Sequence, residues 1–302
     1  MTPIQVGEWP WYYVAVYFYI GGIAAGAYLL AAMADVFGDS EQDRPLIRMG
    51  TYIAAVMVLI CPVLLILDLG QPLRFWRMLS QFKLLSPVSL GSWGLFLFGF
   101  FVILSAAIWL GRDGRLPAGI TGILDRLPRK LIMRVGAFFG IFVAGYTGVL
   151  LSSTVVPFWN NNQLLGLTFL VSGLSTAIAI ISLVLIRQGH GAIVGLHNFR
   201  TLELVLLAFE VFLIVWQLFI EGGDILLTGQ FLYTFVIAVA IVGVLLPLIL
   251  LLANQDKSMS TGMLTLVATM VLIGGFFYRY SILVAGQHSV EEVAWLIRLF
   301  TG

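Results

Sequence analysis

A few polar side chains interrupt long apolar segments of this chain, and they are its first candidates for chemistry. Glu210 lies near the middle of one such segment, and Gln217 follows it seven residues later. On a helix, this spacing places both side chains on one stripe. Ionisable residues at membrane depth are costly and are functional candidates by default. Glu210 is therefore either a station in a proton relay or a protonated acid hydrogen-bonded to a neighbouring helix.

Other charged residues lie towards the ends of apolar segments. Asp68 ends the second segment and is an interfacial charge, a partner for Arg74 or a base. Arg279 lies in the last segment, where it snorkels to the membrane interface or neutralises Asp68 or the central glutamate. Asp35 and Glu203 are interpreted as interfacial charges at segment ends.

Phenols and glycines form a third group of candidates. The first segment carries Tyr12, Tyr13, Tyr17 and Tyr19, and a later one carries Tyr146 between glycines. A buried phenol needs a hydrogen-bond partner, whereas a phenol at a segment end belongs to the interfacial belt. Gly22 and Gly26 form a GxxxG pattern, which allows close helix packing and equally leaves room for a flat ring.

Several cofactor classes are excluded by residues that are missing. The three histidines, His190, His197 and His288, fall outside the apolar segments, so we predict no membrane haem. The single cysteine, Cys61, excludes iron–sulfur clusters held by cysteines of this chain, and we predict no metal site. No phosphate-binding GxxxxGK[ST] motif is present. Electrons that enter this protein must therefore pass to a redox ligand supplied from outside.

Composition places the protein among membrane proteins. Sixty per cent of its 302 residues are hydrophobic and 10% are charged, against about 25% charged in soluble proteins. The net charge of +1 provides no field that would attract nucleic acid. We predict an all-α, polytopic fold, with 1–302 forming one integral domain in contact with lipid. About eight segments are long enough to span: 12–36, 50–69, 90–110, 133–152, 164–186, 202–220, 231–252 and 262–284.

The distribution of basic residues predicts the orientation. Eleven lysines and arginines fall on the side of the connections 38–49, 111–133, 187–201 and 253–261, and five fall on the other side. The positive-inside rule then places both termini outside. Similar glycine-rich patterns in the first and fifth segments suggest two four-helix halves, 1–152 and 164–302, although chance also explains the similarity.

Four sequence blocks follow one another in the first half of the sequence: Gly21–Tyr28, Asp68–Trp76, Ser86–Gly94 and Tyr146–Leu151. In these blocks the sequence resembles the NrfD/PsrC family of membrane subunits in polysulfide-reductase-like complexes. The block Asp-Leu-Gly-x-Pro-x-Arg-Phe that begins at Asp68 is the most specific. The second half matches mainly in the number and length of its segments.

The resemblance implies a haem-free subunit of the prokaryotic inner membrane that binds menaquinone or ubiquinone near its outer face. It also implies a ferredoxin-like iron–sulfur subunit and a catalytic subunit, often of the molybdopterin type, on the outer side. Tyr146 matches the family's quinone-site tyrosine, and Asp68 matches an acid near that site. Tyr17 falls where some relatives have a histidine, which puts the proton acceptor on the first segment in doubt.

These considerations predict a quinone site at the outer face. Asp68 would be the base and Tyr17 and Tyr146 the hydrogen-bond donors, and the quinone contacts would be Tyr13, Tyr17, Gly22, Asp68, Gln71, Arg74 and Tyr146. The loop 70–89 would be a docking surface or a solvated loop. Glu210, Gln217 and Arg279 would form a proton path. The alternatives are a proton-coupled secondary transporter with Glu210 as its coupling acid and a passive anchor of an electron-transfer complex.

Overall fold

The fold consists of long helices, as the apolar segments predict. The computed structural model describes residues 11–38, 43–68, 72–80, 83, 86–189, 197–254 and 259–301. Within these ranges there is no strand, and eight helices are long and apolar enough to cross a membrane. They are α1 (Trp11–Phe37), α2 (Arg44–Asp68), α3 (Pro87–Arg112), α4 (Arg129–Ser152), α5 (Leu165–Arg187), α6 (His197–Phe219), α7 (Leu232–Ala253) and α8 (Thr261–Thr301). The predicted polytopic all-α class is confirmed.

The helix ends differ from the predicted segment ends where polar residues continue a helix. α2 begins at Arg44 rather than at 50, and α8 continues past 284 to Thr301. Only Thr261–Ser289 of α8 is apolar enough to span. Hydropathy marks where a segment leaves lipid, whereas the backbone remains helical into the polar region. His288, predicted to lie beyond the last segment, is therefore a helical residue near the end of this span.

The connections also contain short helices. The predicted loop 70–89 contains a 3₁₀ turn, Pro72–Arg74, and a helix, Trp76–Ser80. The connection between α3 and α4 contains the helix Ala118–Leu124, and the one between α4 and α5 contains Pro157–Asn160. Within α7, Leu232–Leu245 is a π-helix, a form that rarely exceeds one turn.

Helix contacts form two rings of four. In the first ring α1 contacts α2, α2 contacts α3, α3 contacts α4, and α4 contacts α1. In the second ring α5, α6, α7 and α8 contact one another in the same order. The rings meet where α1 packs against α5 and α8, and where α4 packs against α5. An origin of the two rings in a sequence repeat stays a prediction.

Two ion pairs, one buried and one partly exposed, join helix ends in the first ring. Arg129 of α4 pairs with Asp35 of α1, and Arg48 of α2 pairs with Asp113 at 3.2 Å. Asp35, interpreted from sequence as an interfacial charge, is not solvated, because its side chain is buried beside Arg129. Burial of a carboxylate requires such a partner.

Glycines set the closest helix crossings. A Cβ added at Gly26 of α1 would collide with the carbonyl of Gly173 on α5, and one added at Gly274 of α8 would collide with Gly243 of α7. The small-residue pattern thus brings helix backbones into contact, as is common in membrane bundles.

We predict that Gly274→Ala lowers the free energy of unfolding by about 1–3 kcal/mol, because the added methyl group overpacks the α7–α8 crossing. Gly262→Ala, on the same helix, is the matched control, since nothing lies within 4 Å of its added Cβ. Unfolding of both purified variants in detergent gives the comparison. Equal stabilities would show that the crossing can relax.

Candidate functional site

The first ring holds a pair of tyrosines near the start of α1. Tyr146 of α4 stacks on Phe142 with ring centroids 5.5 Å apart, and its hydroxyl donates to the carbonyl of Pro87 at the start of α3. Its ring fills the space over Gly91, where a Cβ would overlap it. The glycine at position 91 therefore determines where this phenol lies.

Tyr17 of α1 lies beside this tyrosine. It is 6% exposed, and it is close enough to Tyr146 and Cys61 for electrostatic interaction. α1, α2 and α4 thus contribute one residue each, and α3 contributes the carbonyl that holds Tyr146. The structure brings together the two tyrosines that the sequence singled out. We call this end of the bundle, with the loops after α2, α4 and α6, the site end, and the opposite end the far end.

Asp68 ends α2 at the site end. It follows Cys61 by seven residues, so both lie on one stripe of the helix. Its side chain is half-buried, and among the described residues no ion pair joins it to Arg74, which is exposed. Tyr13 is half-buried one turn before Tyr17. Gln71 lies outside the described residues.

A large apolar groove lies between α2 and α3, and its lining on α2 begins within one turn of Asp68. Its volume is about 680 Å³, which is within the range of small-molecule sites. It is lined on α2 by residues up to Ile66, two before Asp68, and on α3 from Ser92, the residue after Gly91. Phe75 and Leu79 line it from the connection between the two helices. Leu59, Phe96 and Phe100 of its lining are exposed, so the groove opens on the outer surface of the bundle, and Tyr17 and Tyr146 do not line it.

The second ring holds a buried arginine. Arg279 of α8 is fully buried, so the alternative in which it snorkels to the interface is wrong. Its guanidinium donates to the carbonyls of Gly275 at 2.7 Å, Phe18 at 3.2 Å and Phe169 at 3.4 Å. It also donates to the hydroxyl of Ser172 at 3.1 Å. One side chain therefore joins α8 to both α1 and α5.

Glu210 and Gly22 lie next to this arginine. Glu210 is hydrogen-bonded to the Ser172 hydroxyl and is close enough to Arg279 for electrostatic interaction. A Cβ added at Gly22 would lie 2.7 Å from Arg279 Nη2 and 3.5 Å from Gly173 Cα. Gly22 therefore leaves space for the guanidinium at the crossing of α1 and α5. Two of the three residues of the predicted proton path, Glu210 and Arg279, are therefore neighbours.

Gln217 lies nearer the site end of the same region. Its side-chain amide donates to the hydroxyl of Tyr278, which is also hydrogen-bonded to Thr168. Gln217 is fully buried, and Glu210 is 7% exposed. The shared stripe that their spacing predicts is thus directed into the bundle.

Glu203 is the residue that sequence reasoning missed. It was interpreted as an interfacial charge, but it is 5% exposed and accepts a hydrogen bond from Ser175 at 3.0 Å. Its position is seven residues before Glu210, which in turn is seven before Gln217. That repeated spacing was the signal that could have identified it.

The described residues contain no group of three or more His, Cys, Asp or Glu side chains that could hold a metal ion. Fold and site together define an integral membrane protein of eight spanning helices, with a phenol pair at one end and a buried polar network in its second ring.

Comparison with known sequences places this architecture in a family. The family described as polysulphide reductase, NrfD, matches residues 3–291, and the protein belongs to that family. The C subunit of the polysulfide reductase of Wolinella succinogenes is 31% identical, in an alignment covering 93% of this sequence and 94% of that protein. The NrfD homolog of Haemophilus influenzae is 28% identical, with 96% and 98% covered. Protein NrfD of Escherichia coli is 26% identical, with 94% and 96% covered.

We predict that Arg279 and Glu210 stabilise the fold as a coupled pair. Arg279→Gln or Glu210→Gln should each lower the free energy of unfolding, and the loss should reach about 3–5 kcal/mol where the change leaves a buried charge unpaired. The double variant should lose at least about 1 kcal/mol less than the sum of the single losses. Unfolding titrations in detergent measure all four proteins. Additive losses would mean that the two groups do not interact.

Proposed function

We propose that this protein is the quinone-reactive membrane subunit of a respiratory oxidoreductase complex. The observation that carries the proposal is the pair of phenols, Tyr17 and Tyr146, at the same end of the bundle as an apolar groove of about 680 Å³ between α2 and α3. A membrane quinone has a flat ring with two oxygens and a long apolar tail. Phenol hydroxyls suit the ring oxygens, and the groove suits the tail. Membership of the polysulphide reductase family supports an oxidoreductase.

The proposed roles follow from the positions of the side chains. Oxidation of a quinol releases two electrons and two protons. Asp68, half-buried at the end of α2, is the proposed proton acceptor, and Tyr17 and Tyr146 orient the ring by donating to its oxygens. The Tyr146 hydroxyl, which donates to Pro87, would exchange this bond for one to the ring. Tyr13 and Arg74 are proposed contacts at the rim, and Gln71 is proposed as a contact from the sequence alone. Gly22, the remaining predicted contact, faces Arg279 and Gly173 instead.

The proposed electron partner is a ferredoxin-like iron–sulfur subunit that binds at the site end. It would transfer electrons to a molybdopterin-type catalytic subunit. The segment 72–80 presents exposed Arg74, Trp76 and Arg77 there. The basic residues favour an outer location for this end, in a prokaryotic inner membrane with both termini outside. The count of basic residues from sequence placed Arg279 on the outer side. Its side chain lies inside the bundle, so it is not a basic residue of an outer connection and does not count against this orientation.

The buried network of the second ring supports coupled proton translocation. Glu210, Gln217 and Arg279 lie within it, together with hydroxyl groups of α5. The cavity beside Glu210 has a volume of about 10 Å³, which suits one water molecule rather than a transported solute. This observation favours a proton path over the transporter alternative.

We predict that Asp68→Asn and Tyr146→Phe each slow quinol oxidation by the intact complex by about 10²-fold or more, because a positioned proton acceptor and a ring donor are lost. The assay is quinol-dependent reduction of an electron acceptor by the purified complex. Asp224→Asn and Tyr233→Phe are matched controls, since both residues are exposed at the site end. Full activity of both site variants would indicate a passive anchor.

We predict that Glu210→Gln abolishes proton translocation while quinol oxidation in uncoupled vesicles continues. The amide keeps the size of the side chain but cannot carry a proton. Proton and electron counts in proteoliposomes give the stoichiometry. An unchanged ratio of protons to electrons would remove Glu210 from the path.

A further inference from the structure

A seam of buried polar side chains runs between α5 and α6. From α5 it contains Thr168, Ser172, Ser175, Thr176 and Ser182, and from α6 it contains Glu203, Glu210 and Gln217. All eight side chains are buried within helices that are otherwise apolar. The α6 residues span 14 positions, or about 21 Å of helix, against about 30 Å for the hydrocarbon core. We call this set the polar seam.

Three oxygens of the polar seam lack protein partners. Among the described residues, Glu203 Oε2, Glu210 Oε1 and Gln217 Oε1 are buried and accept no hydrogen bond. An unsatisfied buried acceptor is costly, and a carboxyl group avoids part of that cost by binding a proton or a water molecule. The α6 stripe thus offers acceptors at regular intervals through the bundle.

Each glutamate of the polar seam also borders a cavity. The cavity at Glu210 is lined by Ser172 and Thr176, and it has space for about one water molecule at 10 Å³. The cavity at Glu203 is about 30 Å³ and is lined by Ser182 and Arg200 near the far end. Ser175, which donates to Glu203, lies one turn or less from Ser172 and Thr176 on α5. Hydroxyl groups therefore link the surroundings of the two acids.

We propose that Glu203 is the entry group of a proton path from the far end of the bundle to Glu210. The proposal extends the function proposed above, since the second ring then supplies protons from the side opposite the quinone site. Protonated Glu203 passes its proton through the Ser175 hydroxyl and one water molecule to the Glu210 carboxylate. Glu203 becomes a carboxylate and takes a new proton from water at the far end, and Glu210 becomes a neutral acid.

Arg279 determines where this path ends. Its guanidinium is bonded to Ser172 and to the carbonyls of Phe169 and Phe18, on the site-end side of Glu210. A fixed positive charge opposes the passage of an excess proton, as arginines do in proton-excluding channels. The proton therefore stops at Glu210 while Arg279 stays in place. In each turnover Arg279 has to shift, so that Glu210 releases its proton towards the site end and becomes a carboxylate that can accept the next one from Glu203.

The test uses the whole complex, reconstituted in proteoliposomes with a pH-sensitive dye in the compartment that the far end faces. Glu203→Gln should reduce proton uptake per electron from that compartment at least about tenfold, because the amide cannot relay a proton. Quinol oxidation in the presence of an uncoupler should fall less than threefold. Glu203→Asp, which keeps a carboxyl group, should retain measurable uptake.

Glu221→Gln is the matched control, because this glutamate follows α6 but is exposed and bonded to Asn161. Equal uptake in Glu203→Gln and Glu221→Gln would overturn the proposal. If the Glu203→Gln variant does not assemble, Ser175→Ala replaces it in the test, and Ser153→Ala, at an exposed serine, is its control. Proton uptake should be slower in Ser175→Ala than in Ser153→Ala. Equal uptake in the two variants would contradict the path. A wild-type complex that oxidises quinol without uptake from the far side refutes the path alone, whereas one that does not oxidise quinol refutes the proposed function.

Discussion

The lack of water inside a bilayer is the constraint on which this structure depends, and Arg279 is where it acts most strongly. A polar group in the bundle must find its partners within the protein. The guanidinium is fully buried, and it is satisfied by three main-chain carbonyls and one hydroxyl from α1, α5 and α8. The bond to the Phe18 carbonyl ties α1 to the second ring, and those to Phe169 and Ser172 tie α8 to α5. Gly22 and Gly173 make this arrangement possible, because larger residues would occupy the space that the guanidinium and the crossing need.

The same constraint explains which residues of the polar seam remain reactive. Thr168 and Thr176 of α5 donate to carbonyls one turn earlier, at 2.9 Å and 2.8 Å, so each hydroxyl is satisfied within its own helix. A carboxyl group has no such local solution. Glu203 and Glu210 must instead use hydroxyls of α5, and each has an oxygen left without a partner among the described residues. The acids of α6 are therefore the groups of the polar seam that remain able to bind a further proton or a water molecule.

Sequence reasoning predicted most of the fold, because lipid-facing helices are identified by length and hydropathy alone. It also assigned Tyr17 and Tyr146 to one quinone site, and the two phenols lie close enough for electrostatic interaction, although their role there stays a prediction. It did not predict that Asp35 and Glu203 are buried, because burial near a helix end depends on what a neighbouring helix supplies. Arg129 supplies a charge to Asp35, and Ser175 supplies a hydroxyl to Glu203. Such pairings join residues far apart in sequence and carry no local pattern.

The position of α1 links the chemistry proposed for the two rings. Tyr17 and Phe18 are consecutive residues of α1, and the side chain of the first and the carbonyl of the second face different rings. Tyr17 lies beside Tyr146 in the first ring, whereas the carbonyl of Phe18 accepts a bond from Arg279 of the second. The tyrosine pair and Arg279 thus contact consecutive residues of α1. Coupling between distant sites needs an element that both sites bias. Arg279 has contacts on both sides, since it bonds to α1 on one side and shares Ser172 with Glu210 on the other, so it is the residue at which such an element would have to be sought.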